Sequence, residues 1–236
     1  MRTPSFAFLA SSTVLLTTAL TGCGVKSTVS PEELHAYLRV VNTASAGQSI
    51  DVLVLGNVVV PSLAAGSVSA VVGIPAGQQA VTFRSAGSSG PSVGTAVTFD
   101  AGDTTTLLAV DSNSVINPWV LTDTGKTVAA GRSKLRVVHF AASAPAVLFF
   151  RTQPDFPSPT AVMFPFAYRS ASPYLESTPG DWTVLMASER YSSPGQPIVR
   201  DTLFLTGKIA VPAGAARTVI FMDAPGGGFR TVVLTP

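Results

Sequence analysis

The tightest constraint on the fold of this chain is an internal echo. Leu38-Arg39-Val40-Val41-Asn42 returns 97 positions later as Leu135-Arg136-Val137-Val138-His139. Further matches keep the same order at a slowly growing offset: Gly77 with Gly180, Phe99-Asp100-Ala101-Gly102 with Val211-Pro212-Ala213-Gly214, Asp111 with Asp223, and Val120-Leu121-Thr122 with Val233-Leu234-Thr235. An offset that only increases is expected of two homologous units with loop insertions in the second. The chain is therefore expected to fold as two similar bodies, 37–123 and 134–236, joined by a small-residue polar linker at 124–133.

Each body reads as short strands. In the first, strands are expected near 37–43, 50–55, 67–73, 79–84, 95–99, 104–110 and 117–122. Turn-formers separate them: Ser45-Ala46-Gly47, Gly56-Asn57, Pro75-Ala76-Gly77, Ser88-Ser89-Gly90-Pro91 and Ala101-Gly102-Asp103. Val81-Thr82-Phe83-Arg84 alternates as a half-buried strand does, whereas Val52-Leu53-Val54-Leu55 is apolar on both faces and is expected to be central or to meet the other body. No long segment carries helical periodicity. The one helix signal is Ser30-Pro31-Glu32-Glu33, a capping box that predicts a single turn. Six or seven short strands in a body of this size predict an all-β fold: two tandem immunoglobulin-like β-sandwich domains.

Leu135-Arg136-Val137-Val138-His139-Phe140-Ala141-Ala142-Ser143-Ala144-Pro145-Ala146-Val147 resembles the opening signature of the domain-of-unknown-function 4397 family. Val72-Gly73-Ile74-Pro75-Ala76-Gly77 and Ser177-Thr178-Pro179-Gly180-Asp181-Trp182 stand where that family has a hairpin. The resemblance covers nearly all of 37–236 and implies tandem modules on an exported bacterial protein, with no activity attached. Departures matter too. The first unit has Asn42 where the family has histidine but keeps Asp51; the second has His139 but Leu148 at the matching acid and Ser143 at an earlier aspartate. Neither unit holds both His and Asp.

The amino-terminal segment fixes the expected address. Met1-Arg2 is followed by an uncharged apolar run from Ser5 to Leu20, then Leu20-Thr21-Gly22-Cys23. A basic tip, a short apolar core and small residues make a signal peptide, 1–22. The run is shorter than the roughly 20 residues of a spanning helix. Leu20–Cys23 resembles the lipobox of bacterial lipoproteins, in which the cysteine thiol takes up a diacylglyceryl group and the new amino terminus is acylated. Cys23 is the single cysteine of the chain, so lipidation accounts for an otherwise unpaired exported thiol. Residues 23–36 are then a lipidated tether. One acyl chain binds a bilayer only marginally, at about 10⁴ M⁻¹, and further chains make the anchor lasting. The resemblance implies that Gly24, rather than aspartate, favours the outer membrane of a Gram-negative envelope.

Chemistry-bearing residues are sparse. The net charge is +2 with no basic cluster, which argues against a nucleic-acid partner. His35 falls in the tether and His139 at a strand end, and no G-x-S-x-G elbow stands ready to pair with either. Zinc ligands do not cluster. Asp100, Asp103, Asp111 and Asn113 could supply oxygen to calcium, but loop Asp and Asn more often build turns. The acids Glu176, Asp181, Glu189 and Asp201 are scattered. No catalytic, cofactor or metal residues are therefore assigned. Aromatics gather in the second unit, and Phe166, Tyr168, Tyr174 and Trp182 form a candidate ligand surface if their faces are exposed, the alternative being that they pack in the core. The expected role is a non-enzymatic envelope lipoprotein acting as a structural or binding module, held to its membrane through Cys23, with an envelope protein or polysaccharide as partner. The alternatives are a carbohydrate- or matrix-binding adhesin-like protein and a hydrolase with a site between the domains.

Overall fold

The computed structural model describes residues 35–44, 47–89, 92–112, 115–152, 160–161, 165–191 and 198–236. The helical turn expected at 30–33, the signal peptide and Cys23 lie outside the described residues. Within them the fold is all-β, with no helix.

The first half runs β1 (His35–Asn42), β2 (Ile50–Val54), β3 (Asn57–Leu63), β4 (Val72–Pro75), β5 (Gly77–Ser85), β6 (Val93–Phe99), β7 (Thr104–Ser112) and β8 (Val115–Leu121). Two four-stranded sheets result, β4-β1-β7-β8 and β3-β2-β5-β6. The second half runs β9 (Ser133–Phe140), β10 (Leu148–Thr152), β11 (Thr160–Ala161), β12 (Ser170–Ala171), β13 (Leu175–Ser177), β14 (Gly180–Tyr191), β15 (Ile198–Leu205), β16 (Ile209–Val211), β17 (Ala216–Asp223) and β18 (Phe229–Leu234). Its sheets, β12-β9-β17-β18 with β13 also on β9, and β11-β10-β14-β15 with β16 on β14, repeat the order of the first half. Even the parallel pairs agree: β1 lies parallel to β7, and β9 parallel to β17.

Alternation along each strand sends side chains to two different cores. In β1, Ala36, Leu38 and Val40 face Val52, Val54, Phe83 and Phe99 inside the first sandwich. In β9, Leu135 and Val137 face Phe149, Trp182, Val184 and Phe221 inside the second. The residues between them point the other way. Val41, Leu108, Val110 and Leu121 meet Val138, Phe140, Ile220, Met222 and Leu234 in a third apolar layer between the two halves. The inner sheets are thus buried on both faces, and the molecule is four sheets deep.

Of the two expectations for Val52–Leu55, the central one holds, since β2 lies between β3 and β5 with every residue buried, and contact with the other half does not. β2 lies in an outer sheet, and Leu55 leaves it at φ 52°, followed by Gly56 at φ 80°, in a tight turn into β3. The strands that meet the other half are β1, β7 and β8. β3 was not expected, since Gly56-Asn57 reads as a turn; its Pro61 is tolerated because β3 is an edge strand, and the strand expected near 67–73 is the shorter β4, Val72–Pro75. His35, assigned to the tether, opens β1.

Burying a large apolar side chain in such a layer is worth about 1.5–3 kcal/mol, so neither half is expected to keep its inner sheet ordered alone. Ile220→Ala should cost about 2–5 kcal/mol in urea unfolding. The chain has two tryptophans, Trp119 at the shared layer and Trp182 in the second core. Single-tryptophan variants should report one common midpoint, and separate midpoints would show that the halves unfold independently.

Candidate functional site

The structure disperses most of the expected site residues. His139 is fully buried, on the strand face that looks into the second core, with Phe149 at 6.1 Å and Tyr168 at 6.4 Å between ring centroids. Among the described residues neither ring nitrogen has a hydrogen-bonding partner. Burial holds its pKa below the usual histidine value, opposed in part by the Pro145 carbonyl and by Asp223. Asp223 is committed elsewhere: it accepts from the backbone N–H of Ala142 and from the N–H and hydroxyl of Ser143. Ser143 is bonded to the acid and not to the imidazole, so the serine-to-histidine bond that would activate a nucleophile is not made.

The first half solves the same positions differently. Asn42, in the place of His139, donates to the carbonyls of Gln48 and Leu63 and accepts from the N–H of Ala44. Asp51 accepts from the N–H of Ser62 and Gly87, with Arg84 at 3.5 Å, and these bonds hold its pKa below the usual carboxylate range. Both are loop staples.

The aromatic surface does not form as a unit. Trp182 and Phe166 are core residues. Tyr168 packs against Phe140 at the shared layer. Tyr174 alone adjoins an opening. Among the described residues no group of three or more His, Cys, Asp or Glu stands close enough to hold a metal ion, and Asp100 and Asp103 line a small threonine-rich hollow instead. Glu176, Asp181 and Glu189 pair separately with Arg132, Lys208 and Arg200.

What the structure does assemble is a pair of arginine latches across the two halves. Arg39 on β1 donates to the hydroxyl of Thr106 on β7 and reaches the Thr235 carbonyl at the end of the other half, 2.6 Å away. Arg136 on β9 donates to the hydroxyl of Thr218 on β17 and reaches the Thr122 carbonyl of the first half, 2.7 Å away. Each half grips the last strand of the other through equivalent atoms, as in a two-fold interface. The second latch carries more. Arg136 also bonds Asp123 at 2.8 Å, with both side chains largely buried, and its guanidinium lies 4.5 Å from the Tyr174 ring. The Tyr174 hydroxyl bonds Asp123 and Thr218, and burial, with that carboxylate beside it, pushes the phenol up to about 12. Beside this network a cleft of about 560 Å³ opens between the linker and β9. Sequence reading passed over both arginines, although a cation repeated in the middle of two otherwise apolar strands was the available signal.

Residues 36–150 match the domain of unknown function DUF4397. The DUF4397 match takes in β1 to β8 and crosses the linker into β9 and most of β10. No curated protein matches the chain. One solved structure, the Bacillus anthracis TIE protein, is similar at 12% identity over 85% of this chain and 43% of that one, with a TM-score of 0.25. The chain thus spans less than half of that protein, and the likeness is too slight to build on.

Two outcomes follow from these groups. Because folded His139 resists the proton that unfolded histidine takes up, its contribution to stability is full above about pH 6.5 and falls as pH drops below that value. Urea midpoints at about pH 7.5 and about pH 5 should differ less in His139→Asn than in the parent. Arg136→Met strands the buried Asp123 and should cost about 3–5 kcal/mol. Arg39→Met, whose latch holds no carboxylate, should cost about 1–2 kcal/mol.

Proposed function

We propose that this is a lipid-anchored protein of the bacterial cell envelope, built from two tandem DUF4397-type modules and acting without catalysis as a structural or binding unit. The observation that carries the address is the single cysteine placed directly behind a short apolar run, in Leu20-Thr21-Gly22-Cys23. Acyl chains at Cys23 would hold the folded part on its membrane through residues 24–34, with the outer membrane favoured by Gly24 in a Gram-negative host.

The tandem reading draws on equivalent bonds at equivalent places. Ser69 and Ser172 each accept from the backbone N–H of Val40 and Val137. Gly66 and Arg169 both have positive φ, and their N–H groups bond the carbonyls of Asn42 and His139. The non-catalytic reading draws on the enclosed imidazole of His139 and on the engagement of Ser143 with Asp223 rather than with that ring.

Expression with the native leader in a Gram-negative host tests the anchor. Intact-mass analysis should give a chain starting at Cys23 and carrying a diacylglyceryl group and an amide-linked acyl chain, found with membranes. Cys23→Ser should leave the leader uncleaved. An unmodified Cys23 in the parent chain would refute the anchor.

A further inference from the structure

The reciprocity of the interface supplies an internal control. Whatever the pairing of the two halves requires must be met at both latches, since the same strands meet the same way at each. Arg39, Thr106 and the Thr235 carbonyl meet it at one; Arg136, Thr218 and the Thr122 carbonyl meet it at the other. Groups present at only one latch are not explained by pairing.

Three such groups stand at the Arg136 latch. In strand register, Lys134 occupies the position of Tyr37, and Tyr174 that of Val71. Asp123 is the third. Tyr37 and Val71 are exposed at the first latch, where no carboxylate bonds Arg39, although the Asp123 charge reaches Arg39 as well. At the second latch the substitutions do not leave a filled surface. They border the cleft of about 560 Å³, which lies between the linker and the edge of the second half.

The lining of that cleft has a definite chemical character. Its charged residues are Lys134 and Arg136, with no acid among them. Asp123 is bonded to Arg136 and to the Tyr174 hydroxyl, lies 3.9 Å from Lys126, and lines the neighbouring hollow with Asp100 and Asp103 rather than this cleft. Lys134 spends one donor on the Gly125 carbonyl at 3.0 Å, and an ammonium has three. Thr122 and Thr124 share the wall, while the Ser172 hydroxyl is spent on the Val137 N–H and the Pro173 carbonyl. Two cations with no acid in the same lining attract an anion. Threonine hydroxyls beside them suit a ligand that is itself hydroxylated.

We infer that the cleft beside Arg136 and Lys134 is a binding site for a small hydroxylated anion, a carboxylate or phosphate carried on a body such as a sugar ring. The ammonium of Lys134 meets the charge. Arg136, locked by Asp123 and Tyr174, supplies a fixed positive field, and the hydroxyls of Thr122 and Thr124 hold the body. This site goes beyond the anchoring role and does not depend on acylation of Cys23. A sugar acid and a phosphate headgroup share this chemistry and are separated by the choice of probe.

Calorimetric titration of the purified full chain in detergent tests it, with glucuronate, inorganic phosphate and neutral glucose as probes. Saturable binding of glucuronate or phosphate, with glucose weaker by about tenfold or more, is expected. Glucuronate binding alone points to a sugar acid, and phosphate binding alone to a phosphorylated ligand. Lys134→Gln should weaken binding by about tenfold or more without moving the urea midpoint. Tyr37→Gln, at the corresponding position of the other latch, should change neither. Absence of saturable binding by both anions at millimolar concentrations would overturn the assignment. So would full retention of binding in Lys134→Gln, or glucose binding as well as the anions.

Discussion

The apolar layer between the two inner sheets governs the rest of the structure. A β-sheet can bury one face against its sandwich partner and leave the other to water, and the outer sheets here do so except along β2. β1, β7, β9 and β17 bury both faces. That demand explains why Leu107-Leu108-Ala109-Val110 and Val219-Ile220-Phe221-Met222 are unbroken apolar runs rather than alternating ones. It also explains why Arg39 and Arg136 need the partners they have. A guanidinium at the margin of a dry layer must find acceptors, and the opposite half provides a carbonyl at each.

Much of this was legible in the residues. The echo at offsets of 97 to 113 anticipated the repeated strand order, and the matched glycines fall where the chain turns, with Gly102 and Gly214 at φ 79° and 76°. Strand type and most boundaries followed from turn chemistry. What escaped was relational. The apolar run Val52–Leu55 is buried in the interior strand β2 up to Leu55, which turns out at a hairpin, while Val40-Val41 and Val137-Val138 do the bridging between halves. Periodicity tells how many faces are buried and not against what. The aromatic surface failed for a related reason: Trp182 and Phe166 have the composition of a stacking platform and the strand phase of core residues, and phase decides. Only Tyr174, set by β13 beside the linker, reaches an opening.

The two halves are alike in frame and unlike in detail, and the differences have recognisable forms. Where one half has Gly66, the other has Arg169 in the same left-handed backbone. The missing side chain at Gly66 leaves room for Arg230, which crosses from the second half to bond the Gly66 carbonyl at 2.6 Å; a Cβ there would stand 2.2 Å from that guanidinium. A glycine kept for both its φ and its emptiness on one side thus faces an arginine that tolerates the φ on the other. Such trades keep the shared layer sealed while freeing the periphery to diverge.

The parallel pairing of β1 with β7 sets the order in which the molecule can assemble. Tyr37 meets Thr104 and Asn42 meets Ala109, so the first strand to emerge from a ribosome or a translocation channel finds its central neighbour only after nearly the whole first half has followed. Until then β1 has one edge open, opposite β4, and its apolar face, Ala36, Leu38 and Val40, without its full sandwich partner, a state prone to aggregation and slow to resolve because so many contacts are distant in sequence. The same delay recurs for β9, which waits for β17. Vectorial emergence, one half after the other, would let the first sandwich form before the second strand of that kind is exposed, and would halve the number of wrong partners available to it.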